Sequence, residues 1–103
     1  MSSEPAAARR IVVTGMGVVS PLGLTLDEFW KAVISRKSAV RPYTVEGSES
    51  IPITCAAPVD LFTGDIADFG ELEGTLKKDI RKSLKLMSRE IQMGVASAQR
   101  AIF

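Results

Sequence analysis

The chain has 103 residues, which allows at most one domain, and its 46% hydrophobic content is typical of a folded, water-soluble protein. Thirteen basic and twelve acidic side chains leave a formal net charge of +1, which does not favour nucleic acid as a partner. One cysteine, no signal-peptide pattern and no apolar run of about twenty residues predict a cytoplasmic protein without a disulfide framework or a membrane span.

The N-terminal part of the chain begins with a tail and continues with an apolar segment. Residues 1–8 are small and polar, which predicts a disordered tail. Residues 11–19 are rich in β-branched side chains, which predicts a strand buried on both faces of a layered sheet. Gly15 and Gly17 lie within it, and their missing side chains would let another backbone or a partner approach closely.

A helix is predicted over residues 26–35. Thr25 is a favourable N-cap residue, and Glu28 stands three positions later, where it completes a capping box. Apolar residues recur on one face of this helix: Leu26, Phe29, Trp30, Val33 and Ile34. The pattern therefore predicts an amphipathic helix whose start is defined by its own sequence.

The glycine-containing segment has to be compared with a dinucleotide-binding loop. That fingerprint needs Gly-x-Gly-x-x-Gly between a strand and a helix, and Ser20 occupies the third glycine position here. Pro21 would also interrupt the helix that should receive a pyrophosphate. The sequence therefore favours the absence of a dinucleotide cofactor.

The middle of the chain predicts little regular structure. Residues 43–50 and 60–74 are interpreted as loops, and residues 51–58 as a short strand that Pro52 restricts to an edge. Cys55 falls in that strand. A free cysteine is usually a small buried side chain with a structural role, and nothing nearby in the sequence suggests a reactive thiol.

The C-terminal part carries the strongest helical pattern. Apolar residues recur every three or four positions: Ile80, Leu84, Met87, Ile91, Val95, Ala98 and Ile102. This predicts one long helix, with Gln99 off the apolar stripe. Because no Gly, Asn or Pro ends the pattern, we expect Phe103 to be a truncation point within a domain.

Five basic residues cluster within nine positions at the start of that pattern: Lys77, Lys78, Arg81, Lys82 and Lys85. Four of them are spaced by three or four positions and would share one helix face: Lys78, Arg81, Lys82 and Lys85. Two interpretations remain open. The cluster is either a solvated helix face or a docking surface for an acidic partner.

Several segments together resemble the N-terminus of the β-ketoacyl-acyl-carrier-protein synthases, and in particular the elongating type II enzymes of bacterial fatty acid synthesis. They are residues 9–23, 29–32 and 38–42 and the helical motif at 87–92. The resemblance implies an α/β fold, with residues 9–103 forming the N-terminal fragment of a thiolase-like layered domain. Its expected elements are a strand, a helix, a short strand and a long helix.

The same resemblance implies an acyltransferase that extends acyl chains by decarboxylative Claisen condensation with malonyl-acyl carrier protein. Arg81, Lys82 and Lys85 match basic positions where similar enzymes dock the acidic acyl carrier protein. Leu86 stands where a further basic residue is often present. Members of the family are usually homodimers.

The catalytic groups of that family, a cysteine nucleophile, two histidines and a lysine, lie downstream of the matched region. This chain has no histidine, so we expect no catalytic, cofactor or metal site in it and no condensation by the chain alone. The alternative function is a non-catalytic truncated product or a module that binds carrier protein or a synthase subunit. In isolation we expect exposed strand edges, marginal stability and self-association.

Overall fold

The computed structural model describes residues 8–44 and 52–102. Its elements in chain order are helix α1 (Leu26–Ile34), strands β1 (Arg41–Pro42) and β2 (Cys55–Ala56), helix α2 (Gly74–Ser83) and helix α3 (Arg89–Ile102), with short 3-10 helices at Ile66–Phe69 and Leu84–Leu86. The tail predicted over residues 1–8, except Ala8, and residues 45–50 of a predicted loop lie outside the described residues. None of the helices in the described ranges is long and apolar enough to cross a membrane.

The core lies between the first 3-10 helix, α2 and α3. Phe62, Phe69, Ile80 and Ala96 are buried there in one cluster. The two aromatic rings pack at a tilt of 59° with their centroids 6.0 Å apart, a geometry that aromatic pairs favour. The loop predicted over residues 60–74 is confirmed except for the 3-10 helix Ile66–Phe69 and the first residue of α2, and this loop supplies the two largest buried side chains.

Hydrogen bonds to Asp68 fix the conformation of segment 60–74, and the residues that make them show no periodic pattern in the sequence. The Asp68 carboxylate accepts hydrogen bonds from the Thr63 N–H at 2.8 Å, the Thr63 hydroxyl at 3.0 Å and the Gly64 N–H at 3.2 Å. The Asp68 carbonyl accepts a further bond from the Arg100 guanidinium at 3.1 Å. These bonds satisfy backbone donors that an irregular segment would otherwise leave open.

The long helix predicted from residue 80 to residue 102 is interrupted. Helix α2 ends at Ser83, a 3-10 helix follows, and Met87 is extended with φ −94° and ψ 135° before α3 begins. The Gln92 side-chain amide donates to the Leu84 carbonyl at 3.3 Å and the Met87 carbonyl at 3.5 Å. The Leu84 carbonyl also accepts the Met87 N–H at 3.3 Å, so the amide adds a second bond to it and ties both sides of the break to α3.

Residues 11–19 do not form the predicted strand. Ile11 is 94% exposed, and within residues 8–44 and 52–102 no strand pairs with this segment. A Cβ atom built on Gly15 would lie 2.0 Å from the Ala101 carbonyl oxygen, and one on Gly17 would lie 1.9 Å from that of Ser97. The glycines therefore rest directly on the backbone of α3, and the predicted close approach is confirmed.

The spacing of these contacts explains how a glycine pair fits a helix. Two residues of an extended chain advance about 6.6 Å, and four residues of an α-helix rise about 6 Å. Gly15 and Gly17 can therefore contact Ala101 and Ser97, one helical turn apart, with the segment running antiparallel to α3. The contact uses the glycine positions of the segment, and side chains such as Ile11 and Met16 stay exposed.

The predicted start of α1 is confirmed. The Glu28 N–H donates to the Thr25 hydroxyl at 3.1 Å, while the Glu28 carboxylate accepts from the Leu24 N–H at 3.3 Å rather than from Thr25. The helix ends at Ile34, one residue before the predicted end.

The apolar face of α1 is largely uncovered. Trp30 and Ile34 are both 61% exposed, and Ala32 is the buried residue of the helix. The expected exposure of apolar helix surface is confirmed.

Ile51 of the strand predicted over residues 51–58 lies outside the described residues, and within 52–58 the strand is reduced to β2. It pairs antiparallel with β1, with Arg41 opposite Ala56 and Pro42 opposite Cys55. The chain therefore contains helices and strands, as an α/β fold requires. Cys55 is exposed, so its predicted burial is wrong. A two-residue ladder brings no second layer that could cover the thiol.

Candidate functional site

The basic cluster lies on the outer face of α2 and the 3-10 helix that follows it. The Glu73 carboxylate accepts from the Leu76 N–H at 2.6 Å and caps the start of α2. Leu76, Ile80 and Leu84 face the core at helical spacing. The basic side chains are consequently turned away from the core, and all five are exposed.

Four of the five basic residues surround one depression of about 500 Å³: Lys78, Arg81, Lys82 and Lys85. The structure thus brings together the set that the helical spacing predicted, although Lys85 lies on the 3-10 helix and not on a continuous α-helix. The long aliphatic stems of lysine and arginine cover apolar surface while their charged groups stay in water.

No ion pair neutralises this cluster in the described part of the chain. The ion pairs found there join Lys31 to Asp27 and Arg41 to Asp60, outside the cluster. A set of like charges on a few adjacent turns produces a positive potential that attracts acidic surfaces and is screened by salt. The geometry is therefore suited to an anionic partner.

The motif at 87–92 has a structural role beside the cluster. The Ser88 hydroxyl accepts from the Ile91 N–H at 3.4 Å at the start of α3. The Arg89 guanidinium donates to the Val59 carbonyl at 2.6 Å and lies over the Phe62 ring at 5.7 Å. Together with Gln92, these residues fix the break between α2 and α3 and so the position of Lys85.

Gly15 and Gly17 face the backbone of α3 and do not open toward a ligand. The volume that Gly15 and Gly17 leave free is filled by the α3 backbone, whereas a dinucleotide site needs glycines that open toward a ligand. Helix α1 also begins only at Leu26. The two glycines therefore lack the open approach that a dinucleotide-binding loop needs.

No catalytic group is assembled in the described residues. Across residues 8–44 and 52–102 no three His, Cys, Asp or Glu side chains approach closely enough to hold a metal ion. Cys55 lies on β2 and is exposed. The chain contains no histidine that could act as its base.

A second depression, of about 400 Å³, was not predicted. It lies between the glycine segment, the start of α1 and the C-terminal half of α3. The Gln99 side-chain oxygen is buried there, and no hydrogen-bond partner is found among the described residues. The sequence predicted only that Gln99 lies off the apolar stripe. The periodicity of α3 does not indicate that a distant segment of the chain would pack over Gln99.

Comparisons with known proteins agree with the sequence resemblance. The family model described as "Beta-ketoacyl synthase, N-terminal domain" matches residues 8–102. The chain is 42% identical over 72 residues, 70% of its length, to 3-oxoacyl-[acyl-carrier-protein] synthase 2 of Coxiella burnetii, and 35% identical over 94 residues, 91% of its length, to the protein of that name from Vibrio harveyi. A protein of the same name from Synechocystis is 32% identical over 95 residues, 91% of the chain.

These matches cover only part of each relative. The matched regions are 17%, 20% and 20% of the Coxiella, Vibrio and Synechocystis proteins, so the chain spans about a fifth of their length. No solved structure matches the chain.

Proposed function

Since this chain belongs to the β-ketoacyl synthase family, as the N-terminal part of the family's domain, we propose that it works as part of a 3-oxoacyl-[acyl-carrier-protein] synthase. Such an enzyme extends acyl chains by decarboxylative Claisen condensation with malonyl-acyl carrier protein in fatty acid synthesis. The observation that carries the proposal is the family match over residues 8–102, with synthase 2 relatives aligned over 91% of the chain.

The working fold in this proposal is the layered, thiolase-like domain of the family. Two features of the chain support it. Residues 11–13 have exposed β-branched side chains and lie outside any sheet of the described residues, and Trp30 leaves the apolar face of α1 open. Further layers of sheet and helix would bury both surfaces, since apolar area removed from water contributes roughly 25 cal/mol per Å².

The chain alone is inactive in this proposal. A condensing enzyme needs an activated nucleophile and a group that moves protons near neutral pH. Cys55 lies on the two-residue strand β2, and this chain has no histidine to take its proton. Mixing the purified chain with acyl- and malonyl-carrier protein should therefore yield no condensation product, and product formation would contradict the proposal.

The role proposed for the basic cluster is docking of acyl carrier protein through Arg81, Lys82 and Lys85. It is supported by their exposure, their common depression and the lack of ion pairs to them among the described residues. The test is the dissociation constant of the chain for an acidic carrier protein. Replacing all three by Ala should weaken binding strongly at low salt and flatten its salt dependence.

A matched control removes the same charge elsewhere. Arg9, Arg10 and Lys37 are exposed cations outside the cluster, and their triple replacement by Ala should leave binding close to that of the unchanged chain. Equal weakening by the two triple variants would show that only net charge matters, and docking at the cluster would then be wrong.

The second candidate function is a non-catalytic module that binds carrier protein or a synthase subunit, and the exposed basic side chains around one depression support it. The two functions differ in what happens when the chain meets the missing part of a synthase. The chain can be co-expressed with a Vibrio harveyi synthase that lacks the matching N-terminal region. Condensation should be restored if the chain supplies the N-terminal part of the catalytic domain. A stable complex without activity would favour the module.

The uncovered apolar surface also supports self-association or a homodimer as the state of the chain in solution. Sedimentation at increasing concentration should show a rising mass. A monodisperse monomer with a cooperative thermal transition would contradict this part of the proposal.

A further inference from the structure

Leu86 is the apolar residue that stands out within the basic cluster. It ends the 3-10 helix Leu84–Leu86, follows Lys85 directly and is 89% exposed. Its neighbour Leu84 packs on the core instead. The folded chain thus points Leu84 inward and holds Leu86 in water, directly after Lys85 at the edge of the basic cluster.

The position of Leu86 is fixed by the break between the helices. Gln92 donates to the carbonyls on both sides of Leu86, those of Leu84 and Met87. Ser83, the last residue of α2, stands three positions before Leu86 and is small and exposed. Open space therefore lies beside Leu86 on a backbone that is held in place.

The basic side chains complete the surface. Lys82 and Lys85 also stand three positions apart, and with Lys78 and Arg81 they line the depression of about 500 Å³. An apolar residue bordered by charged ones is the arrangement found at binding hot spots, where the rim excludes water from a central contact. An exposed leucine would add nothing to binding that depended on charge alone.

We propose that Leu86 is an apolar anchor and that the surface around it fits an acidic amphipathic helix of the carrier protein. The helix would place acidic side chains against Arg81, Lys82 and Lys85 and an apolar side chain on Leu86. The inference rests on the proposed function, which supplies acyl carrier protein as the partner. It adds that recognition has an apolar part that salt does not screen.

The test compares Leu86→Gln with the triple Ala variant of Arg81, Lys82 and Lys85 in binding to carrier protein. Measurements are made at ~0.1 M and ~1 M ionic strength, where the Debye length is about 10 Å and 3 Å. Leu86→Gln should weaken binding about tenfold, by the same factor at both salt concentrations, because burying a leucine is worth at least that much. The triple variant should lose mainly the low-salt binding.

Two further variants sharpen the result. Leu61→Gln changes a leucine outside the cluster that is 56% exposed, and it should bind like the unchanged chain. Leu86→Lys adds a cation and removes the anchor, so it should steepen the salt dependence and weaken binding at high salt.

If Leu86→Gln binds like the unchanged chain while the triple variant loses binding, the anchor is wrong and the proposed docking stands. If neither variant changes binding, or if the unchanged chain does not bind carrier protein, docking at this surface is wrong and the anchor falls with it. Circular dichroism should show unchanged helix content in each variant, since every substituted side chain is exposed.

Discussion

The region from residue 59 to residue 100 buries its aromatic side chains, whereas the region from residue 8 to residue 44 exposes most of its apolar ones. Phe69 is 0% exposed in the first region, and Trp30 is 61% exposed in the second. Both regions have well-capped helices with an apolar face. They differ in whether a second apolar surface of the chain reaches that face.

The difference shows that an apolar pattern creates a core only where two such patterns meet. Residues 60–74 turn back onto α2 and α3 and bury Phe62 and Phe69 between them. The segment 11–19 contacts α3 through Gly15 and Gly17, which have no side chains to bury. Val19 packs on the core, whereas residues 11–13 and Met16 remain available for a partner surface.

The largest expected effect separates the two regions directly. Phe69→Ala should lower the free energy of unfolding by about 3–5 kcal/mol, because it leaves a cavity in the core. Trp30→Ala should change it by less than about 1 kcal/mol, since exposed positions contribute little. Urea unfolding followed by circular dichroism measures both, and similar losses for the two variants would show that the regions form one core.

The next effect concerns the contact between the regions. Gly17→Ala would place a Cβ atom 1.9 Å from the Ser97 carbonyl oxygen. Because the contact is with a backbone atom, a side-chain rotation cannot relieve it. The glycine segment should therefore separate from α3, and the free energy of unfolding should fall by about 1–3 kcal/mol. Amide hydrogen exchange and proteolysis of residues 8–19 should both become faster.

Gly94→Ala is the matched control for that substitution. Gly94 lies within α3, and a Cβ atom there would meet nothing within 4 Å. The alanine should stabilise the helix by about 0.5–1 kcal/mol. Equal behaviour of the two alanine variants would mean that the glycine segment does not rest on α3 in solution.

A smaller effect is expected at the end of α1. Arg36 has a φ of +59°, and its N–H donates to the Val33 carbonyl at 3.0 Å while the Lys37 N–H donates to the Ala32 carbonyl at 2.9 Å. This is a Schellman motif with a side chain at the left-handed position where glycine is favoured.

The test at this position compares Arg36→Gly with Arg36→Ala, because both remove the charge and only glycine relieves the backbone. Arg36→Gly should be more stable than Arg36→Ala by up to about 1 kcal/mol in thermal unfolding. A more stable Arg36→Ala would show that the end of α1 is frayed, which would sharpen the contrast between the regions.

The smallest effect is a pH dependence at the start of α3. The pKa of Glu90 is lowered from its ordinary value of 4.5 by its own backbone N–H and by the Ser88 hydroxyl, both of which donate to the carboxylate. The Glu90 carboxylate of the unfolded chain therefore binds a proton more tightly than that of the folded chain. The stability that the ionised Glu90 contributes is present above pH 4.5 and is lost as the pH falls through the lowered pKa.

Glu90→Gln provides the comparison for this pH dependence. The variant should be slightly less stable than the unchanged chain at neutral pH and equal to it in acid. Thermal unfolding across this range measures the difference, and a difference independent of pH would contradict the assigned hydrogen bonds.

The candidate site was predictable to the extent that it depends on local spacing. The positions of Lys78, Arg81, Lys82 and Lys85 place them on one face of any helix, and the depression they line confirms this. The break after Ser83 was not predictable, because the apolar stripe keeps its register on both sides of it.

The sequence by itself determined the features that short-range interactions decide: the capped start of α1 at Thr25, the small residues at 15 and 17, the basic face of α2 and the membership of the β-ketoacyl synthase family. Only the tertiary structure decided which apolar residues are buried. Burial depends on contacts between distant segments, such as Phe62 with Arg89 and Asp68 with Arg100, and no local pattern encodes them. For the same reason residues 11–19 and α1 carry apolar patterns typical of buried elements while their apolar surfaces face water.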